Sequence, residues 1–210
     1  MNADESMREI ALQISVCTKC PLHLTRKLAV PGEGPSSSRI LFIGEGPGFN
    51  ENEIGRPFVG QAGKFLGELL SYAGLKREEV FITNVVKCRP PENRDPQPEE
   101  LIACSQFLDR QIQWIDPMII VTLGRFSMAK FLPLARISAI HGKPAWVNGK
   151  LIVPMYHPAA ALHQPNIKPA VIADFVALSA TIEQTVKGKK GEAEKNYELP
   201  STPTEQRSLF

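Results

Sequence analysis

The chain lacks a long apolar run. None approaches the ~20 residues that a membrane-spanning helix needs, so no membrane association is expected. Met1–Ile10 carries Asp4, Glu5 and Glu9 and no apolar core, which does not fit a secretory signal, and the expected compartment is the cytoplasm. An excess of charge of one sign is also missing. Lys and Arg number 24 against 22 Asp and Glu, so the net charge of +2 argues for no class of partner. Cysteine is confined to four residues, which in a reducing compartment are expected as metal ligands or free thiols rather than disulfides. What remains is 43% hydrophobic and 22% charged over 210 residues, enough for one globular domain with a sizeable core and tails.

The most informative stretch is Ile40–Gly48, Ile-Leu-Phe-Ile-Gly-Glu-Gly-Pro-Gly. Four apolar residues in a row suit a strand covered on both faces. The glycines and proline that follow let the backbone approach something small, and a strand ending in such a turn is where open α/β sheets place ligands. Further strands are expected at Val80–Val86 and Met118–Gly124, with a hairpin over Trp146–Val153 feeding a last strand that ends at His157. Helical spacing is found, imperfectly, over Ser6–Val16, and over Gln61–Ala73, Glu99–Ile115, Arg125–Phe131 and Pro169–Val186. Asn50–Glu53 reads as a polar connection, and the proline-rich Arg89–Pro98 as a loop.

Strands alternating with helices predict an α/β fold, a three-layer sandwich around a mainly parallel sheet of about four strands. The strands would deliver Glu45, Asn84, Gly124 and His157 to one carboxyl edge, where the crevice is expected. Arg56, Lys87, Arg89 and Arg94 lie near these motifs and could supply local positive charge. The domain is expected over residues 1–186, and the polar, lysine- and proline-bearing residues 187–210 read as a disordered tail.

The cysteines form two pairs, Cys17-x-x-Cys20 and Cys88 with Cys104, far apart in sequence. A four-thiolate site would pin the N-terminal arm to the domain. Such a site suits zinc or an iron–sulfur cluster, and spacing alone leaves both open.

Taken together, Cys17-x-x-Cys20, Gly44–Gly48 with Glu51, Gly55–Gly60, Thr83-Asn84 through Cys88-Arg89-Pro90-Pro91, Cys104 and His157-Pro158-Ala159 resemble the family 4 uracil-DNA glycosylases, the iron–sulfur members of their superfamily. The resemblance runs from about Cys17 to about Ile182. It implies a 4Fe-4S cluster, in preference to zinc, on Cys17, Cys20, Cys88 and Cys104. It also implies hydrolysis of the N-glycosidic bond of uracil in DNA, by a chain expected to act as a monomer.

On that reading Phe58 stacks on the uracil ring, and the amide of Asn84 pairs with its O4 and N3–H. His157 steadies the negative charge that leaves on O2. Gly44, Glu45 and Gly46 form the turn against the base. Glu45 and Glu51 are the candidate carboxylates for the attacking water, although better-known relatives carry an aspartate in this turn. Leu162 is the candidate wedge that fills the hole left by the flipped base, in a segment richer in alanine than is usual. His141 stands where an arginine is common. A covalent-trapping branch has an extra histidine-bearing loop after the second strand; Arg89–Glu99 contains no histidine, so that branch is rejected. Finally, Gln206-Arg207-Ser208-Leu209-Phe210 resembles the short peptide by which bacterial enzymes bind the replicative sliding clamp, with Gln206, Leu209 and Phe210 as anchors.

Overall fold

Ile40, Phe42 and Leu41, Ile43 alternate between two hydrophobic cores, one on each face of the first strand, and all four are buried. The same alternation separates Val121 from Ile120 and Val153 from Ile152. This is the period-two consequence of a pleated strand covered on both sides. The computed structural model describes residues 2–186; the expected tail, with Gln206, Leu209 and Phe210, lies outside the described residues.

The sheet has strands β1 (Ile40–Gly44), β2 (Phe81–Asn84), β3 (Ile119–Leu123), β4 (Ala145–Val147) and β5 (Lys150–Met155), in the order β2-β1-β3-β5-β4. β1, β2, β3 and β5 are parallel, as expected, and β4 adds an antiparallel edge from the hairpin. On one face lie α3 (Gln61–Tyr72) and α8 (Lys168–Val186), whose Leu66, Leu69, Phe175 and Leu178 pack on Phe42 and Val121. On the other lie α4 (Pro98–Ile115) and α5 (Arg125–Ala129), contributing Leu108, Ile115 and Met128. Each of these fully buried side chains contributes about 1.5–3 kcal/mol of burial. The N-terminal helix α1 (Ala3–Ser15) lays Ile10 and Ile14 against Phe107 of α4, in a third cluster that also holds the cysteines.

Two local departures shape the site. The polar stretch after Gly48 is not a loop but a short helix, α2 (Phe49–Ile54). Its start is held by the Glu51 carboxylate, which accepts from the Gly48 backbone N–H at 3.1 Å. The second strand stops at Asn84 rather than Val86. Just beyond that end Lys87 folds back, its Nζ donating to Thr83 Oγ1 at 2.6 Å and to the Asn84 carbonyl at 2.8 Å. Among the described residues no helix is long and apolar enough to cross a membrane.

Candidate active site

The carboxyl ends of β1, β2 and β5 open into a cavity of about 410 Å³. Glu45, Gly46, Glu51, Phe58, Asn84 and His157 all line it, although they come from five separate stretches of chain. Gly44 forms the contact between two of them. A Cβ there would lie 2.3 Å from Asn84 Oδ1 and 2.7 Å from the Phe58 ring, so only glycine lets both side chains close over the strand end.

Asn84 is 2% exposed, and its Oδ1 is buried with no hydrogen-bond partner. Among the described residues two other buried side-chain atoms share that condition, on Ser6 and Thr122, and neither residue lines the cavity. An unpaired buried acceptor costs about 1–3 kcal/mol unless a ligand supplies the donor.

His157 caps α7 (Pro158–His163), and its Nδ1 accepts from the Ala159 backbone N–H at 3.2 Å. The ring proton therefore sits on Nε2, which leaves a donor. Burial lowers its pKa to about 4, against a smaller opposing pull from Glu51, so the imidazole is neutral at pH 7. The Phe58 ring stacks beside it, with centroids 5.6 Å apart.

The two candidate carboxylates differ. Both oxygens of Glu51 are engaged: Oε1 accepts from the backbone N–H groups of Val59 and Gly60 at 2.8 and 2.9 Å, and Oε2 from Gly48. Glu51 thus ties the Gly44–Gly48 turn to the Phe58 loop. The Glu45 carboxylate makes no hydrogen bond to the described residues, and its pKa is raised, first by burial and then by Asp95, with Arg125 opposing.

Leu162 does not line the cavity; it is 40% exposed on α7, one residue before His163, which does. Of the four nearby cations, Lys87 turns inward, buried and bonded to Thr83, Asn84 and Gln111, and burial brings its pKa down to about 7. Arg56 is spent on Glu33 at 2.6 and 2.8 Å. Arg94 lines the cavity while bonded to Glu100, and Arg89 lies over the exposed Phe49 ring at 5.3 Å and donates to Asn93 Oδ1. His141 sits apart, bonded to Asp174 at 2.7 Å and against Tyr156.

Cys17, Cys20, Cys88 and Cys104 line a single small cavity on the far side of Lys87 and share one hydrophobic cluster with Ile14, Leu22 and Phe107. Burial pushes the Cys20 and Cys88 thiols up, and Cys104 to about 11. Arg26, which no sequence motif signals, donates to Cys88 Sγ at 3.3 Å and to the Cys17 carbonyl at 2.6 Å. Among the described residues no set of three or more His, Cys, Asp or Glu is arranged to hold a metal ion.

Sequence comparison agrees with this geometry. The profile of the uracil DNA glycosylase superfamily matches residues 31–178. The type-4 uracil-DNA glycosylase of Thermotoga maritima is 48% identical over 186 residues, covering 86% of this chain and 97% of the relative. That of Saccharolobus solfataricus is 50% identical over 176 residues, 79% of this chain and 82% of the relative. A type-5 uracil-DNA glycosylase of Thermus thermophilus is 37% identical over 118 residues, 49% of this chain and 53% of the relative. With a crevice at the strand ends, an asparagine amide facing it and a histidine across from it, this chain belongs to the uracil-DNA glycosylase superfamily, among its type-4 members.

Proposed function

We propose that the chain excises uracil from DNA by hydrolysing its N-glycosidic bond, the opening step in repair of deaminated cytosine. The observation that carries this reading is the Asn84 amide on the wall of a cavity roomy enough for a flipped base, its buried Oδ1 without a partner. Uracil offers an N3–H to that acceptor and an O4 to the amide N–H; cytosine presents an acceptor and a donor at the same places and leaves Oδ1 facing a lone pair. The base must first leave the duplex, at a cost of roughly a few kcal/mol. Phe58 supplies the surface on which it stacks, and Leu162 the apolar side chain that fills the gap. Arg94 and His163 on the cavity wall, and Arg89 bonded to Asn93 of that wall, are the side chains offered to flanking phosphates.

Breaking the C1′–N1 bond sends the electron pair onto the base, with negative charge growing at O2. The neutral His157 donates from Nε2–H to that oxygen. Because it carries no charge of its own, it stabilises the leaving anion without demanding a proton from solution. The Glu45 carboxylate, without a hydrogen-bond partner and half-buried, faces the sugar side, steadies the oxocarbenium and accepts the proton of the attacking water. Its raised pKa makes it a better base than a solvated carboxylate. Glu51 acts by holding the two loops together.

The four cysteines bring the donor chemistry that an iron–sulfur cluster takes, four thiols around one shared cavity, with the Arg26 guanidinium against Cys88. A bound cluster supplies a cross-link between the N-terminal arm and the domain, and no step of the reaction runs through it. The chain is proposed to act as a monomer in the cytoplasm, tethered to the sliding clamp through Gln206, Leu209 and Phe210. Deleting residues 206–210 should abolish clamp binding measured by anisotropy; unchanged binding would overturn the tether.

A single-turnover assay tests the main reading, with uracil opposite guanine, opposite adenine and unpaired. Alkali-labile sites at uracil, together with a brown visible chromophore, are expected. A folded, brown protein that leaves uracil intact would overturn the activity, and a colourless zinc-loaded protein that cleaves would overturn the cluster.

A further inference from the structure

Phe58 adopts φ of +51°, in the left-handed region that bulky side chains rarely enter. Such a conformation persists only where surrounding contacts over-determine it. Here the loop is gripped along both sets of backbone groups. On the amide side, the Glu51 carboxylate takes the N–H groups of Val59 and Gly60. On the carbonyl side, Arg77 donates from Nη1 to the Phe58 oxygen at 3.1 Å and from Nη2 to the Pro57 oxygen. Beneath them Gly63 leaves no space: a Cβ there would lie 2.0 Å from the Phe58 oxygen.

We infer that Arg77 is a positioning residue for base stacking: its guanidinium fork, clamped across two successive carbonyls, holds the Phe58 ring in the orientation that receives uracil. The inference rests on the reading that Phe58 stacks on the base. Arg77 lies outside the cavity lining and touches no predicted site atom except through the Phe58 backbone. Its own charge is balanced by Glu33, whose Oε1 lies 3.6 Å from Nε. Glu33 in turn keeps Arg56 at 2.6 Å, so removing Arg77 strands no carboxylate. A planar fork suits two adjacent acceptors; a lysine, as a single point donor, cannot span both.

The test is a double-mutant cycle on the cluster-loaded full chain, with Arg77→Ala, Arg77→Lys, Phe58→Leu and the pairs. Phe58→Leu keeps an apolar side chain in the cavity but removes the flat ring. Arg77→Ala should lower kcat/KM for uracil excision about 10- to 100-fold through misplacement of the ring, with Arg77→Lys in between. In the Phe58→Leu background the same Arg77→Ala change should cost less than about twofold, because there is no ring left to hold. Thermal melts report the folded fraction separately. Full multiplicative effects of the two substitutions would overturn the inference, as would an Arg77→Ala variant that melts lower while excising at the parental rate. A Phe58→Leu variant with parental activity would instead remove the stacking reading, and the inference with it.

Discussion

Replacing Asn84 with alanine should separate activity from stability in opposite directions. In the free protein the Oδ1 of Asn84 is buried and unpaired, so its removal relieves about 1–3 kcal/mol of desolvation cost. The truncation opens onto an existing cavity of about 410 Å³ that water can enter, so little of the penalty of a dry void is incurred. The variant should therefore melt at or above the parental temperature. During catalysis the loss is the other way. Two hydrogen bonds to the base disappear at about 1–3 kcal/mol each, and at 1.36 kcal/mol per tenfold the excision rate should fall by about 30-fold to 10⁴-fold. Single-turnover excision on a uracil oligonucleotide and a melt followed by circular dichroism read both quantities on one sample. A variant that melts several degrees lower yet excises within about threefold of the parent would refute the reasoning, because it would make Asn84 a packing residue rather than a reader.

Other expectations follow from the same geometry. His157 has a folded pKa of about 4 against an ordinary value near 6.5. As pH falls below 6.5 the unfolded chain takes up a proton that the folded chain refuses, so stability is full above that value and is lost toward pH 4. By pH 5 the loss is at most about 2 kcal/mol; denaturant titrations should show that slope in the parent and its absence in His157→Asn. Leu162→Ala should slow excision from duplex DNA by about tenfold and leave single-stranded substrate nearly untouched, since only the duplex must be opened; equal effects on both would remove the wedge role. Cys88→Ser should bleach the visible absorption and lower the melting temperature, because the arm from α1 to Cys20 would keep its apolar packing on α4 but lose the cluster cross-link; an unchanged spectrum would exclude Cys88 as a ligand.

The strand cores were legible because Ile40–Ile43 and Ile119–Leu123 are apolar on both faces, and only a covered sheet accepts that pattern. The meeting of Glu45, Asn84 and His157 was legible too, since parallel strands bring their carboxyl ends to one edge. What the sequence hid was the partner of each charge. Lys87 read as a source of local positive charge near the site motifs, yet Thr83, the Asn84 carbonyl and Gln111 draw it inside. Glu51 read as one of two candidates for the water; its oxygens meet N–H groups eight and nine residues ahead, which only the folded loop brings near. The left-handed Phe58 and the Arg77 that holds it carry no local signal, because the strain is imposed by tertiary contacts.

The most direct test is the structure of the protein with free uracil, the product. The account predicts the base against the Phe58 ring, its N3 about 3 Å from Asn84 Oδ1 and its O2 within reach of His157 Nε2. Uracil bound elsewhere, or turned so that Asn84 Oδ1 stays without a donor, would contradict it.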